Sequence, residues 1–568
     1  MTSTSIKAVR ARRVWDSRGR PTVEAEVELA GGARGRAIAP AGASRGTREA
    51  TDLRDGGTRF GGVDVLEACE NVRSKIANAL RGRDALDQAA VDAAIVALDG
   101  TRNKAKLGGN ATVAVSMAVA HAAAAARGVP LWRHLAGNAP VRLPLPEVQI
   151  FGGGAHAGRR VDVQDFMVMP VGAWTFGDAI AIVAEVYRVA GAIMQESGKL
   201  AGVADEGGWW PAFASNEEAL TTLVRAIEGA GLRPGEDVAI SLDIAASEFG
   251  RDGRYRLALD GNELDRDAMS AMLLDWIARY PIVSIEDPFA EDDRVAWIRF
   301  GEAVANRIQI VGDDYLTTDA GEVDRAALDH ACNAVLVKPN QAGTLTEARA
   351  ALDAGRRHGF GTIVSARSGE SEDVTVAHLA VGWNAGQLKV GSFARSERMA
   401  KWNEVLRIED RPIPTPSPRE VLVRVVAASV NSADSRIRGR RFPRGFGGVA
   451  PLMFGVRLPR IPVLGGSFSG VVEAVGADVT GVAPGNVVAG TTGMAMGAHA
   501  EFVAVRADRV VAVPAGVSHD AAAGVIFGGQ TALWFLRDRA EVRAGQSVLV
   551  VGASGAVGTM AVQLARLA

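Results

Sequence analysis

The sequence predicts an α/β protein whose largest part is a closed (β/α)8 barrel. From about residue 140, short apolar strands alternate with helical stretches, as in QDFMVMP (164–170), IVSIEDP (282–288) and AVLVKPN (334–340). Strands that recur between amphipathic helices indicate parallel βα units. About eight such units in roughly 270 residues are typical of a barrel that closes on itself.

The length and charge of the chain limit its class. Its 568 residues exceed one ordinary domain, so we expect about three or more units, each with its own core. A net charge of −2 predicts neither a nucleic-acid partner nor an anionic membrane surface. The two cysteines, Cys69 and Cys332, lie far apart and in no metal-spaced cluster. That usage is typical of the reducing cytoplasm.

The N-terminal segment predicts a separate α+β domain, residues 1–137, ahead of a barrel in residues 138–409. TVEAEVELAGG (22–32) alternates apolar and polar residues and ends in a Gly-Gly turn, which indicates a hairpin. A Gly-rich loop, APAGASRGTREA (39–50), and Ala-rich helices follow. AVSMAVAHAAAAA (114–126) is too short to span a bilayer, so we expect a packed helix. With no signal-peptide pattern at the start, we expect a cytoplasmic protein without a membrane span.

A polar residue closes nearly every predicted barrel strand. The carboxyl ends of the strands form the catalytic mouth of such a barrel, so these side chains predict an active site. Helix N-capping is an alternative for any single aspartate, but it explains the set poorly because Glu and Lys are weak caps. The residues are Asp165, Asp243, Glu286, Asp313, Lys338 and Arg367.

The chemistry of these side chains predicts a metal-assisted reaction. Asp243, Glu286 and Asp313 follow successive acidic strands and offer the hard oxygen ligands that Mg²⁺ prefers. Beside such a cation, Lys338 can lose its proton and act as a base. A metal-bound carboxylate substrate becomes acidic at its α-carbon, because the metal stabilises the ene-diolate. Glu206 can protonate a leaving hydroxyl, so the predicted reaction is proton abstraction α to a carboxylate with elimination.

A series of motifs runs through the first 409 residues. They are WDSRGRPTVEAEVE, LDGTRNKAKLGGNATVAVSMA, ADEGG, LDIAASEF, SIEDP, VGDD, VKPNQAGTLTEA, SGESED and GQLKVGSFARSERMAKWNEVLRIE. In this order and spacing they resemble the enolase family, almost continuously over residues 6–409. The resemblance implies a capping domain on an enolase-type barrel, a homodimer, bound Mg²⁺, and conversion of 2-phosphoglycerate to phosphoenolpyruvate.

The resemblance also implies a role for each matching residue. Asp243, Glu286 and Asp313 would hold the tighter metal, Lys338 would be the base at C2, and Glu206 would be the acid at the leaving hydroxyl. Lys389 would neutralise the substrate carboxylate, and Arg367 and Ser368 would hold its phosphate. His156 would lie near the reacting centre, and Asp165 would be the partner of the general acid.

Four segments depart from the family pattern. The family's SGAST loop reads AGASR, so the serine whose oxygens chelate a second metal is Ala41. Its SHRSGE reads SARSGE, so a histidine near the phosphate and leaving group is Ala366. The glutamate partnering the general acid is Asp165, and the stretch before His156 reads QIFGGG instead of NIINGG. Loss of one stabilising group can lower a rate by orders of magnitude.

These departures leave several functions open. One is an enolase of reduced activity. Another is an enolase-like enzyme of altered specificity, similar to the carboxyphosphonoenolpyruvate synthases, that acts on a small phosphorylated or phosphonate carboxylate. A third is a non-catalytic enolase-fold protein, which predicts scattered losses across the metal ligands and lysines, whereas all of these residues are present.

The C-terminal part carries a second set of motifs. EVLVRVVAASVNSADSRIRG, FSGVVEAVGADVTGVAPGNVVAG, GAHAEFVAV and GQSVLVVGASGAVGTMAVQLA resemble the quinone-oxidoreductase branch of the medium-chain dehydrogenase/reductases. The resemblance covers residues 404–568. It implies a partial GroES-like β domain in residues 410–540 and the truncated start of a Rossmann domain in residues 541–568.

A glycine-rich turn near the end of the chain predicts a nucleotide site. Gly552, Gly555 and Gly558 follow a predicted strand and open a helix, as the pyrophosphate of NADPH requires. The ribose-binding residue is expected about 20 positions further on, past the last residue of the sequence. The alternatives are therefore an NADPH-dependent reductase and an idle remnant, and we favour the remnant.

The stretch NEVLRIEDRPIPTP (403–416) fits both resemblances. Enolase-like chains end on a KWNEVLRIE-type segment, whereas the reductases open on an EVLRIED-type strand. Residues 404–410 can serve only one of the two folds. We expect the enolase-like part to keep them.

Overall fold

The structure is a computed structural model, in which the chain divides into two compact units, Met1–Asp410 and Arg411–Ala568. The division falls inside the junction stretch 403–416. The structure describes residues 3–43, 46–173, 175–408, 413–431, 434, 436 and 463–567.

The first unit opens with an α+β substructure. Its three strands form an antiparallel sheet in the order β1-β2-β3, and the predicted hairpin corresponds to β2, its turn and the start of β3. The elements are β1 (Ile6–Trp15), β2 (Pro21–Leu29), β3 (Arg34–Ile38), α1 (Leu66–Asn71), α2 (Ala77–Leu80), α3 (Gln88–Asp99), α4 (Gly109–Ala126) and α5 (Leu131–Ala136).

Helix α4 forms the centre of this substructure and packs against β2 and β3. Strand β3 comes so close that a Cβ at Gly35 would overlap the backbone of Ala118 and Ala122. By length and composition α4 is apolar enough to cross a membrane, but 83% of it is buried within the unit. The predicted packed helix is therefore confirmed.

Eight strands of the first unit close into a barrel. Their order is β4-β5-β8-β12-β13-β14-β15-β16, and β16 pairs with β4 to complete the ring. Small hairpins lie between barrel strands. The strands are β4 (Leu145–Gly152), β5 (Asp165–Met169), β6 (Leu200–Val203), β7 (Trp209–Pro211), β8 (Ala239–Asp243), β9 (Gly250–Arg251), β10 (Arg254–Leu257), β11 (Asn262–Asp265), β12 (Ile282–Glu286), β13 (Gln309–Gly312), β14 (Ala334–Val337), β15 (Gly361–Ser365) and β16 (Gln387–Lys389).

One barrel strand corrects the prediction of uniform parallel βα units. Strand β5 runs antiparallel to both β4 and β8. The segment 153–164 that joins it to β4 holds only a short 3-10 turn, Gly154–Ala157. A parallel neighbour needs a longer crossover connection, usually a helix, so β5 enters the barrel in the opposite direction. Asp165 therefore begins its strand, whereas the sequence predicted that it closes one.

Helices surround the barrel, and most of the long ones start at a side chain that accepts a backbone N–H. Such caps satisfy amide groups that have no partner within the helix. The cap residues are Thr175, Ser215, Asp265, Asp293, Asp319 and Thr344. The helices are α6 (Phe176–Glu196), α7 (Asn216–Gly229), α8 (Arg266–Arg279), α9 (Arg294–Val304), α10 (Ala320–Leu328), α11 (Pro339–Ala342), α12 (Leu345–Arg357), α13 (Thr375–Gly382) and α14 (Ser396–Arg407).

The junction stretch continues helix α14 up to Arg407. Within it, Val405 is fully buried in the core of the first unit. Glu404 lies 3.5 Å from the Nε2 atom of His378 on α13. The enolase-like part thus keeps residues 404–407, as expected, whereas residues 409–412 lie outside the described part of the chain.

The second unit contains a five-stranded antiparallel sheet in the order β20-β17-β18-β19-β21. Of the predicted βα unit near residue 550, the described residues form the helix but not the strand: residues 546–550 belong to no strand, and Leu549 and Val551 are about nine-tenths exposed. A parallel strand needs a neighbour to satisfy its backbone. The elements are β17 (Glu420–Ala428), β18 (Ser467–Val475), β19 (Val487–Thr491), β20 (Phe502–Arg506), β21 (Val510–Ala512), α15 (His519–Leu533) and α16 (Ala556–Leu567).

Candidate active site

The predicted site residues gather at one end of the barrel. Asp243, Glu286 and Lys389 are the last residues of β8, β12 and β16. Asp313 and Lys338 follow β13 and β14 directly. Because these strands are parallel, their carboxyl ends share one edge of the barrel. Lys338 stands at the N-cap position of α11, but its side chain makes no capping hydrogen bond, and other residues cap the long barrel helices; this favours the site interpretation of the set.

Asp165 reaches the same edge from the opposite direction. As the first residue of the antiparallel strand β5, it pairs in register with Asp243, the last residue of β8. The predicted location is right, although the predicted strand direction is wrong. Asp165 is fully buried.

Lys389 lies among the buried carboxylates. Its Nζ atom is 2.8 Å from Asp243 Oδ2 and 2.8 Å from Glu286 Oε2, and 3.7 Å from Asp165 Oδ2. Burial alone would lower the pKa of Lys389, but the surrounding carboxylates hold it well above its ordinary value. Lys389 therefore supplies a fixed positive charge in the mouth.

Lys338 donates a hydrogen bond to Asp313 Oδ2. Burial acts to lower the pKa of Lys338, but the carboxylates of Asp313 and Glu286 together raise it above its ordinary value. The other oxygen of Asp313 accepts a hydrogen bond of 2.8 Å from Gln341 Nε2. The protonation state of Lys338 is thus sensitive to the charge of Asp313.

The three predicted metal ligands are all buried oxygen donors. Burial and the nearby Asp243 raise the pKa of Glu286 well above its ordinary value. For Asp243, burial acts in the same direction, but Lys389 and a hydrogen bond with Glu286 lower its pKa. The Oε1 atom of Glu286 is buried and accepts no hydrogen bond from the described residues. These features leave an oxygen donor for a cation between β8 and β12.

Two further groups bring ligand atoms within 4.8 Å of one another: His156 with Asp165 and Glu206, and Asp287 with Asp313 and Asp314. In the second group, both oxygens of Asp287 already accept backbone N–H groups, at 2.9 Å from Asp313 and 2.8 Å from Asp314. Asp287 therefore holds the β13 end of the mouth in place.

His156 connects two of the predicted catalytic carboxylates. Its Nδ1 atom lies 3.3 Å from Asp165 Oδ1, and its Nε2 atom lies 3.8 Å from Glu206 Oε1. Burial acts to lower the pKa of His156, but Glu206 and Asp165 raise it above its ordinary value. Burial acts to raise the pKa of Glu206, and His156 together with nearby cationic side chains lowers it. These two pKa shifts favour a protonated His156 beside an ionised Glu206.

The loop after β15 carries the predicted phosphate-binding residues. Arg367 is buried and forms a two-pronged ion pair with Glu49, with Nη1–Oε2 at 2.9 Å and Nη2–Oε1 at 3.2 Å. Ser368 Oγ accepts a hydrogen bond of 3.1 Å from Arg18 Nη1. The guanidinium of Arg398 on α14 donates to the carbonyl oxygens of Arg367 and Ser368, at 2.7 and 2.6 Å. This buried arginine fixes the backbone of the loop.

A narrow cleft of about 20 Å³ opens between these groups. Ala366 lies in its wall and is 6% exposed, so a methyl group stands where the resemblance implies a histidine. Glu286 and Asp313 do not line the cleft themselves. They pair with two residues that do, Lys389 and Lys338. The lining residues are Gly42, Ala43, His156, Gln164, Asp165, Glu206, Asp243, Lys338, Ser365, Ala366, Arg367, Ser368 and Lys389.

Several polar residues of the site were missed in the sequence, among them Gln149, Gln164, Glu49 and Arg398. Gln149 contacts Asp165, and Gln164 donates a 3.0 Å hydrogen bond to Asp243. The two glutamines stand in apolar strand segments, QIFG and QDFMVM, and this contrast was a usable signal. Glu49 and Arg398 lie in polar stretches where nothing distinguishes them from surface residues.

The glycine-rich turn lies in the second unit. Gly552 has a φ of +78°, and its carbonyl oxygen accepts the N–H of Gly555 at 3.1 Å. A Cβ at Gly558 would overlap the backbone of Gly552, so the start of α16 needs glycine. A dinucleotide site also needs the strand that precedes the turn, and the described residues form no such strand.

Segments of both units match known protein families. Residues 6–135 match the family described as the enolase N-terminal domain, and residues 140–413 match the enolase C-terminal TIM barrel domain. Residues 417–515 match the alcohol dehydrogenase GroES-like domain. Enolase 1 of Desulfitobacterium hafniense (strain Y51) is 48% identical over 413 residues, which cover 72% of this chain and 94% of that protein.

Proposed function

The chain belongs to the enolase family over residues 6–413, and from this premise we propose that it is a Mg²⁺-dependent hydro-lyase that converts 2-phosphoglycerate to phosphoenolpyruvate. The observation that carries the proposal is the pairing in the mouth: Lys338 with Asp313, Lys389 with Asp243 and Glu286. These contacts support the proposal because the cleft is lined by Lys338, Lys389 and Asp243, and the two lysines pair with Asp313 and Glu286.

Asp243, Glu286 and Asp313 fit a Mg²⁺ ion. Their oxygens are hard donors, and the partnerless Oε1 atom of Glu286 is a buried acceptor that a cation would satisfy. When bound, Mg²⁺ would stabilise the negative charge that the substrate carboxylate gains as its α-proton leaves. Lys389 keeps its positive charge beside the same carboxylates, and its ammonium group binds the substrate carboxylate.

Lys338 takes the proton from C2. In the free site Asp313 and Glu286 hold a proton on its amine against the effect of burial, so a loss of charge at these carboxylates would favour the neutral base. Asp313 is also a metal ligand in this proposal, which links metal binding to the activation of the base. Burial then favours the neutral amine, because a charged group is costly in the interior.

The pair His156 and Glu206 supplies the proton for the leaving hydroxyl. The proton favours His156 in the free site, and Glu206 lies 3.8 Å away. A substrate hydroxyl against Glu206 receives the proton through this pair as the C–O bond breaks. Asp165 and Gln149 keep the imidazole in position.

A second candidate function is favoured by Ala366. The methyl group of Ala366 lines the cleft and offers no hydrogen-bond donor where the resemblance implies one beside the phosphate and leaving group. This change supports an enolase-like enzyme of altered specificity, which acts on a phosphonate analogue of 2-phosphoglycerate in the manner of the carboxyphosphonoenolpyruvate synthases. The proton-abstraction residues serve both candidates alike.

The test is a substrate screen with the purified full chain and Mg²⁺. The proposal expects phosphoenolpyruvate from 2-phosphoglycerate, at a rate that chelation abolishes. Faster turnover of a phosphonate analogue would favour the second candidate. Turnover of neither substrate would contradict both.

We also propose a cytoplasmic homodimer that forms through the enolase-like part. The two free cysteines are buried, which suits a reducing compartment. Family membership supports the dimer. Light scattering of the full chain tests it, with twice the 59.3 kDa chain mass as the expected result.

A further inference from the structure

The loop at Ala41 bears on how many cations the mouth can hold. In the family pattern a serine stands at this position and supplies oxygens to a second metal. Here the side chain is a methyl group that offers no donor, and Ala41 is 3% exposed. The hydroxyl ligand is therefore missing.

The backbone oxygen of Ala41 is also engaged. It accepts the N–H of Gly369 at 2.8 Å and the Nη2 atom of Arg18 at 2.8 Å. The N–H of Ala41 donates to Gly369 O at 2.9 Å, so the two residues form a reciprocal bridge. A carbonyl oxygen has two lone pairs, and both are used by these donors.

The bridge is built into the fold on both sides. A Cβ at Gly369 would lie 2.7 Å from Ala41 O, so this close approach requires glycine. Arg18 is held by Asp16 and also donates to Ser368 Oγ. Its guanidinium places a permanent positive charge at the Ala41 carbonyl, where it opposes a divalent cation.

Among the described residues, two other groups of candidate ligands are already largely engaged. In one, Asp287 uses both oxygens on backbone N–H groups and Asp313 accepts from Lys338 and Gln341, so that only Asp314 remains; in the other, His156 is joined to Asp165 and Glu206 by ion pairs. We propose that the mouth binds a single divalent cation, at Asp243, Glu286 and Asp313, and that the second cation of the family pattern has no site among the described residues. The inference rests on the proposed Mg²⁺-dependent function.

Mn²⁺ serves as the probe, and free Mn²⁺ is counted by electron paramagnetic resonance during titration of the full chain with 2-phosphoglycerate present. Glu286→Gln removes a mouth ligand and preserves the shape of the side chain, so the Mn²⁺ that the variant loses belongs to the mouth, and the wild-type total shows whether a second one binds. We expect one tightly bound Mn²⁺ per wild-type chain and none in Glu286→Gln. Two in the wild type, or equal counts in the two proteins, would overturn the inference.

A matched pair of variants tests the role of position 41. Ala41→Ser returns one of the two lost oxygens, whereas Ala41→Gly returns none. We expect weak additional Mn²⁺ binding in the serine variant only, and equal binding by the two variants would contradict the role assigned to Ala41. Phosphoenolpyruvate formation is followed in the same samples: one Mn²⁺ without turnover contradicts the proposed function alone, and two with turnover contradict this inference alone.

Discussion

Lys338 donates a hydrogen bond to Asp313, which joins the proposed base to a proposed metal ligand inside the barrel mouth. The contact explains how a buried lysine can stay protonated in the free site. It also means that cation binding and base activation share one carboxylate.

Replacement of Lys389 by methionine should destabilise the chelator-treated protein. The variant leaves Asp243 and Glu286 buried without their cationic partner, and breaking a buried pair costs about 3–5 kcal/mol. Added Mg²⁺ should restore part of the loss, because it binds the same carboxylates. Urea unfolding with and without Mg²⁺ measures both effects, and an unchanged free energy of unfolding would exclude the proposed role of Lys389.

The pair His156 and Glu206 should make stability depend on pH in chelator. The raised pKa of His156 stabilises the fold below the ordinary histidine pKa of about 6.5, and this contribution disappears as pH rises through the raised value. The lowered pKa of Glu206 stabilises the fold above the ordinary glutamate pKa of about 4.3. This stabilisation is lost as pH falls through the lowered value.

Glu206→Gln should lower the pKa of His156, because the largest neighbouring charge that raises it is gone. NMR titration of the histidine ring protons measures this pKa directly. Glu196→Gln, on an exposed position of α6, is the control and should leave the titration unchanged. A His156 pKa that is the same in both variants would rule out the coupling.

Ala366→His should raise kcat/KM for 2-phosphoglycerate by about 10- to 10³-fold, because it returns a donor near the phosphate and leaving group. Ala366→Leu fills similar space without a donor and should not improve the rate. Steady-state kinetics of the two variants decide the point. Wild-type turnover already as fast as that of Ala366→His would argue against an altered specificity.

Val405→Ala should destabilise the first unit by about 2 kcal/mol, since it removes two buried methyl groups from α14. The exposed neighbour Arg407 offers the control, and Arg407→Ala should change the free energy of unfolding by less than about 0.5 kcal/mol. Equal, small effects would mean that the junction stretch does not serve the first unit.

Much of this architecture could be predicted from the residues, because the barrel strands are short, apolar and closed by unusual polar side chains. The direction of β5 could not, since side-chain alternation reads the same in both directions. Only the short connection 153–164 carried that information. Asp165 was therefore placed at the correct edge for the wrong reason.

The partners of the site residues were equally hidden. Lys389 touches Asp243 over a separation of 146 residues, and Arg367 meets Glu49 over 318. Contacts at such distances follow from barrel closure and leave no local pattern. In the second unit, the apolar segment SVLVV predicted a strand, but a strand forms only where a neighbour satisfies its backbone.

The most direct test of the central claim is exchange of the C2 proton of 2-phosphoglycerate with deuterium from solvent, followed by NMR with Mg²⁺ and the full chain. The account predicts exchange in the wild type, a loss of about 10²-fold or more in Lys338→Ala, and no change in Lys75→Ala, an exposed control. Exchange at the wild-type rate in Lys338→Ala would show that another group removes the proton and would contradict the account.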